Sequence, residues 1–184
     1  MISKEEALRL IENTSKYSHA LVVSAIMRKL AEKLGENKDK WEIVGLLHDL
    51  DYDQTRNDMS KHGIIASRIL EGKLPEDCLY AIKSHDYRTG FKPKSKLDKA
   101  LIIADSLAIL LEKIEKSEEL SIKKLNEEIL NISKDKPWIK DNLRKTEEIG
   151  LEINEVLELA AEMFKAEEFR NLKVIQKPTP AKTL

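Results

Sequence analysis

The sequence has little cysteine, almost no charge imbalance and no long apolar run. Its one cysteine, Cys78, excludes an internal disulfide and suits a reducing compartment. The 32 Lys and Arg against 33 Asp and Glu give a net charge of -1, which argues against a surface dedicated to nucleic acid or membrane. The first residues lack the apolar core of a signal peptide, and the longest apolar run is too short to span a bilayer. We therefore expect a cytoplasmic protein.

Several catalytic signatures are also missing. The sequence has neither a P-loop nor the glycine pattern of dinucleotide-binding proteins, and no serine has the flanking glycines of a nucleophile elbow. No segment alternates apolar and polar residues as a half-buried strand does, and no repeat of fixed period occurs. These absences argue against P-loop, Rossmann-type and elbow-serine enzymes and leave helices as the expected element.

Apolar residues at helical spacing predict an all-α protein. A capping box of Ser3 and Glu6 opens the first helix, and Gly35 ends the second. Residues 51–59 are polar and predict a loop over the site, whereas His62 is expected to open the next helix. The predicted helices end at about residues 13, 34, 50, 70, 85, 115, 132, 150 and 169.

We predict one domain over residues 1–170 that ends in a flexible tail, 171–184. Its core, at about 17–115, carries the polar residues described next. The additional C-terminal helices, at about 118–170, are interpreted as closing the core, and Trp138 is interpreted as a packing residue rather than a platform for substrate.

All four histidines and two aspartates lie beside or within apolar helical segments. The pair His48-Asp49 ends the apolar run 43–47, Asp105 interrupts the run 101–111, and His19 precedes the run 20–23. Burying an ionised carboxylate on such a helix costs on the order of several kcal/mol of folding free energy unless a cation pairs with it. That cation is either a metal ion or a Lys or Arg side chain. Because six ligand-type residues share this placement, the set favours a metal site.

The order of these residues resembles that of the HD-domain metal-dependent phosphohydrolase superfamily. The resemblance rests on His19, the pair His48-Asp49 within LLHDLDYD, and Asp105, and it covers roughly residues 17–111. It implies a helical bundle and a metal-dependent hydrolase. His62 and His85 occupy the places where two-metal members carry two further histidines, which implies a dinuclear site.

The same resemblance implies a division of labour among the ligands. Asp49 would bridge two divalent transition-metal ions, with His19, His48 and Asp105 on one ion and His62 and His85 on the other. Two such ions activate a water molecule and polarise a phosphoryl oxygen, and His48 and Asp49 would be central to this catalysis. The metal is Fe, Mn, Co, Ni or Zn, because ligand type alone does not select among them.

Basic residues near the histidines are the candidates for binding phosphate. Arg88 is the preferred clamp, because its planar guanidinium can hold two phosphate oxygens. Lys61, Lys83 and Lys92 are further candidates, and a solvated basic loop is the alternative interpretation for each of them. Three carboxylates, Asp51, Asp53 and Asp86, either orient histidine ligands or cap local turns.

The resemblance narrows the substrate less than the mechanism. The segment LDKALIIADSLA is similar to the final aspartate region of diadenosine tetraphosphate hydrolases. We therefore expect a small phosphorylated substrate, a nucleotide or a dinucleoside polyphosphate. Two alternatives remain open, a di-iron oxygenase of the HD-domain type and a ligand-binding HD module without catalysis. The oligomeric state is left open.

Overall fold

The computed structural model describes residues 1–114 and 120–166, and within these ranges the chain is helical without strands, as predicted. The α-helices are α1 Lys4–Ile11, α2 Tyr17–Leu34, α3 Lys38–Leu47, α4 Tyr52–Thr55, α5 Ile64–Ile69, α6 Glu76–Ser84, α7 Lys96–Lys113, α8 Ile122–Ile132, α9 Trp138–Leu143 and α10 Ile153–Lys165. Short 3-10 helices span Met59–Lys61, Tyr87–Thr89 and Arg144–Ile149. Among the described residues, no helix combines the length and apolarity needed to cross a bilayer.

The predicted helix ends are confirmed where capping chemistry specifies them. Ser3 and Glu6 form the expected capping box at α1, and Gly35 ends α2 in the left-handed conformation. Pro75 precedes α6 directly. Ser95 and Asp98 form a further capping box at the start of α7.

Two local predictions are wrong. The polar segment 51–59, predicted as a loop, contains the short helix α4 and opens a 3-10 helix at Met59. His62 does not open a helix but has extended backbone, and α5 begins only at Ile64. The cause is Gly63, which has φ +75°, and whose Cβ, if present, would lie 2.3 Å from the carbonyl oxygen of Ile82. The chain turns there to bring His62 toward α6.

The C-terminal helices also differ from the prediction. The helix predicted over 137–150 is divided into α9 and a 3-10 helix that ends at Gly150, which has φ +88°. α10 ends at Lys165, and its predicted continuation to 169 and the predicted tail 171–184 lie outside the described residues. Both α8 and α9 contact α7, and α10 contacts α2.

The core forms where α2, α3 and α7 pack together. α3 approaches α2 closely because Gly45 has no side chain: a Cβ there would lie 2.7 Å from the Cα of Ser24. α7 is buried along most of its length, including Leu101, Ile103 and Leu107, which are fully buried. This packing places the first turn of α2, the last turn of α3 and the middle of α7 around one point.

Candidate metal centre

The structure brings all six predicted metal ligands together. His19 comes from the first turn of α2, His48 and Asp49 from the end of α3, and Asp105 from the middle of α7. His62 follows the 3-10 helix at 59–61, and His85 ends α6. All four histidines and Asp49 are buried.

Each histidine is anchored through Nδ1 to an oxygen that can only accept a hydrogen bond. His48 Nδ1 lies 2.8 Å from the Gly45 carbonyl, and His85 Nδ1 lies 2.7 Å from the Ile82 carbonyl. These two bonds link each residue to the carbonyl three residues earlier, so the last turns of α3 and α6 themselves orient the rings. A carbonyl cannot donate, so Nδ1 carries the proton in both rings.

The other two histidines are anchored by carboxylates. His19 Nδ1 lies 2.7 Å from Glu112 Oε1, and His62 Nδ1 lies 2.8 Å from Asp51 Oδ1. An ionised carboxylate also only accepts, so Nδ1 again donates. In all four residues, therefore, a ring that gives up its second proton keeps Nδ1–H and presents the lone pair of Nε2, which is the tautomer that binds metal ions.

The Nε2 atoms converge on Asp49 and Asp105. Asp49 Oδ1 lies 2.9 Å from His62 Nε2, 3.4 Å from His48 Nε2 and 3.6 Å from His85 Nε2. Asp105 Oδ1 lies 2.9 Å from His19 Nε2 and 3.9 Å from His48 Nε2. Two groups have their ligand atoms within 4.8 Å of one another: His19, His48 and Asp105, and His48, Asp49 and His85.

The pKa values reflect this crowding of carboxylates and imidazoles. Burial lowers the pKa of His19, but hydrogen bonds to Asp105 and Glu112 outweigh it and raise the value to about 10. Burial also lowers the pKa of His62, but hydrogen bonds to the carboxylates of Asp49 and Asp51 outweigh it and raise the value to about 9. Complete burial instead lowers the pKa of His48 below its ordinary value, so His48 is neutral.

The donor set fits a metal cation. His48 Nε2 is fully buried and has no hydrogen-bond partner among the described residues, although an unpaired buried acceptor is unfavourable. His62 Nε2 and His85 Nε2 lie 3.2 Å apart, close enough for both rings, once neutral, to direct their lone pairs at one cation. Imidazole nitrogen and carboxylate oxygen are ligands for divalent transition metals. The histidine and aspartate donors present here therefore fit a divalent transition-metal ion.

A cavity of about 280 Å³ opens on the metal ligands. Asp105 lies at its inner end, and its side chain is 24% exposed there rather than fully enclosed. The polar lining also includes His62, His85, Asp86, Arg88, Lys16, Lys136 and Asn142, and the apolar lining consists of Tyr52, Met59, Tyr87, Ile109 and Trp138. The cavity is thus lined by charged and by aromatic side chains, and Lys16 and Arg88 lie beside the rings of Tyr52 and Tyr87.

The predicted phosphate-binding residues do not all reach this cavity. Arg88 lines it, but its guanidinium donates to both carboxylate oxygens of Asp86, two residues earlier. Lys61 pairs with Asp58 at 2.7 Å. Lys83 lies nearest Glu76, at 3.8 Å, and neither Lys61, Lys83 nor Lys92 is part of the described cavity lining. Lys61 and Lys92 are exposed and Lys83 is half-buried, so their proximity to His62 and His85 in the sequence does not bring them to the cavity.

Two functional residues were missed from the sequence. Lys16 Nζ lies 3.3 Å from Asp49 Oδ2 and 4.2 Å from the Tyr52 ring centroid. Burial opposes its charge, but Asp49 and Asp105 raise the pKa of Lys16 above its ordinary value, so it is an ammonium. Glu112, the partner of His19, is seven residues after Asp105, and this two-turn spacing was the available clue that both lie on one face of α7.

The three carboxylates predicted either to orient histidine ligands or to cap local turns have different roles in the structure. Asp51 is fully buried and orients His62, and its other oxygen accepts from the backbone N–H of Ala66 at 2.9 Å. Asp53 accepts from the backbone N–H of Ser15, and Asp86 caps the 3-10 helix that contains Arg88. Only Asp51 therefore acts on a histidine.

A helical bundle with histidine and aspartate donors around one point defines a metal-centre protein. The chain matches the HD domain family over residues 17–110, just over half of its 184 residues, and it belongs to that family. The match confirms the resemblance based on the histidines and aspartates. HD domains bind divalent metal ions and are typical of metal-dependent hydrolases. Comparison with curated proteins and with solved structures gives no match.

Proposed function

We propose that this protein is a metal-dependent phosphohydrolase that cleaves a small phosphate ester or anhydride. The observation that carries the proposal is the convergence of four Nε2 atoms and two carboxylates beside a cavity that Asp49, His62, His85 and Asp105 line. A dinuclear centre is part of the proposal, with Asp49 between His19, His48 and Asp105 on one side and His62 and His85 on the other. The metal ions would supply a hydroxide nucleophile and Lewis-acid polarisation of the phosphoryl group.

The residues around the ligands have separate tasks. Glu112 and Asp51 hold the rings of His19 and His62, so that each Nε2 stays directed at the centre. Lys16 is the residue best placed to contact a phosphoryl oxygen, because its ammonium lies within 3.3 Å of Asp49 and lines the cavity. Arg88 is a weaker candidate, because its Nε and Nη2 already donate to Asp86 and Nη1 is the nitrogen that these bonds leave for a substrate.

The cavity favours a small substrate within the nucleotide class. Ligand pockets usually measure about 300–1,000 Å³, and this one lies at the lower end, at about 280 Å³. A mononucleotide suits that volume, whereas a dinucleoside polyphosphate would extend beyond it. A cytoplasmic setting, supported by the single cysteine, belongs to the same proposal.

The test is phosphate release after loading with Mn, Co, Fe, Ni or Zn, with metal content measured in parallel. We expect turnover of an aryl phosphate and of nucleoside monophosphates, with about two ions per chain. Lys16→Gln is expected to lower kcat/KM by about 10- to 100-fold, the scale of a lost charge-assisted contact, with unchanged metal content. Lys29→Gln is the matched control, since Lys29 is exposed and pairs with Glu32.

Two results would contradict the proposal. Oxygen consumption by the iron-loaded protein without any phosphate release would identify an oxygenase. Metal binding without turnover of any phosphorylated substrate would identify a binding module.

A further inference from the structure

Part of the cavity wall is built by helix α9, which lies outside the segment matched by the HD domain family. α9 is fixed next to the metal ligands by one polar contact: Asn142 Nδ2 donates to Ser106 Oγ at 3.1 Å. Ser106 directly follows Asp105 in α7. The C-terminal helices therefore contribute to the site and do more than cover the core.

Helical spacing directs the aromatic side chain of α9 into the cavity. Trp138 and Asn142 are four residues apart and so share one face of α9. On α7, Ile109 lies one turn beyond Asp105 and also lines the cavity. Trp138 and Ile109 thus form an apolar surface that begins where the metal ligands end.

Tyr87 extends this surface from the other side of the cavity. Its side chain is 68% exposed, although large aromatic residues usually bury their rings. The Tyr87 and Trp138 ring centroids are 6.5 Å apart and the planes are inclined by 45°. Two partly solvated rings at the mouth of a polar cavity gain contact when a third ring covers them.

Charges at the rim complete the pattern. Lys136 lines the cavity two residues before Trp138, and Arg88 lies 5.8 Å from the Tyr87 ring centroid. An anionic group at the inner end of the cavity and a planar ring at its mouth would be complementary to this arrangement.

We infer that Trp138 and Tyr87 form a ring-binding subsite that selects phosphate esters carrying a planar heteroaromatic ring. This inference rests on the proposed phosphohydrolase activity for its consequence in turnover, although ring binding itself is independent of that activity. Trp138, which the sequence predicted as a packing residue, is then a specificity-determining residue.

The kinetic test compares adenosine 5'-monophosphate with ribose 5-phosphate. Both contain the ribose 5-phosphate group, and only the first carries a planar heteroaromatic base. We expect Trp138→Ala and Tyr87→Ala each to lower the ratio of their kcat/KM values by about tenfold or more, through KM rather than kcat. Tyr87→Ala is included because exposed Tyr87 can be removed without opening the core. Phe91→Ala is the matched control, since Phe91 is an exposed aromatic residue outside the described cavity lining, and it is expected to leave the ratio unchanged.

A fluorescence titration tests the subsite without turnover. The chain has two tryptophans, and Trp41 is only 3% exposed. We expect adenosine, which has no phosphate to release, to quench the emission of the purified full-length protein. We expect Trp138→Phe, which retains Trp41 alone, to lose that quenching.

The outcomes separate the two proposals. Quenching confined to Trp138 without phosphate release from any substrate would refute the phosphohydrolase and support the ring subsite. Turnover of both substrates with a ratio insensitive to Trp138 and Tyr87 would refute the subsite and keep the hydrolase. Absence of adenosine quenching would also overturn the subsite.

Discussion

Replacing Asp51 with asparagine changes one buried contact of the metal centre and almost no volume. Asp51 accepts two hydrogen bonds, from His62 Nδ1 and from the backbone N–H of Ala66. An asparagine amide can accept only one of them, because its other terminus is a donor. If the NH2 group faces His62, the ring must place its proton on Nε2, the atom directed at Asp49. If it faces Ala66 instead, a buried N–H group loses its acceptor.

Both orientations have a predictable cost. Loss of the hydrogen bond that orients a metal-binding histidine lowers metal affinity by about 10- to 100-fold, equivalent to about 1.4–2.8 kcal/mol. A buried donor left without a partner lowers the free energy of unfolding by about 1–3 kcal/mol. We expect Asp51→Asn to show the first effect in the metal-loaded protein and the second in the metal-free protein.

The assay is competition for metal against a chromophoric chelator, combined with denaturant unfolding of the metal-free protein. Asp53→Asn is the matched control: it removes the same charge two residues away, where the carboxylate accepts from Ser15 rather than from a histidine. Metal affinity of Asp51→Asn equal to that of Asp53→Asn, in a folded protein, would refute the role of Asp51 in holding His62 as a ligand.

Three further results are expected. The pKa values of His19 and His62, about 10 and about 9, exceed their ordinary value of 6.5 and so stabilise the metal-free protein. This contribution to the free energy of unfolding is fully present below pH 6.5 and is lost as pH rises through 9 and 10, as denaturant unfolding with chelator will measure. For the same reason, metal binding near pH 7.5 is expected to release protons, which calorimetry in buffers of different ionisation enthalpy will count. Gly63→Ala is expected to lower Tm and metal affinity more than Gly72→Ala, because both glycines have positive φ but only Gly63 lies against a neighbouring backbone oxygen.

Much of the site was predictable because four ligands adjoin or interrupt apolar runs, whereas His62 and His85 were predicted from the family resemblance. His48 and Asp105 adjoin or interrupt apolar runs that must be buried. Polar side chains buried on neighbouring helices of a small bundle are therefore expected to lie close together. Gly35 was equally predictable, since helix capping depends on local conformation alone.

The features that were not predictable depend on contacts between distant segments. The extended backbone at His62 follows from the approach of Gly63 to the Ile82 carbonyl, which no local propensity encodes. Lys16 precedes its helix and reaches the centre only because α2 packs on α3. Trp138 packs against the core, as predicted, but the sequence does not reveal that its helix, α9, lies against α7 beside Asp105.

The metal ligands and the aromatic wall open onto the same cavity, and this has a kinetic consequence. The Nδ1 side of each of the four imidazoles is occupied by a hydrogen bond, so the cavity is the accessible route for ion exchange. A substrate would enter through the same cavity. A ligand seated against Trp138 would stand between the ions and solvent. We therefore expect a bound nucleotide to slow the loss of metal to a chelator, so that the ligand-bound protein retains its ions longer than the free protein.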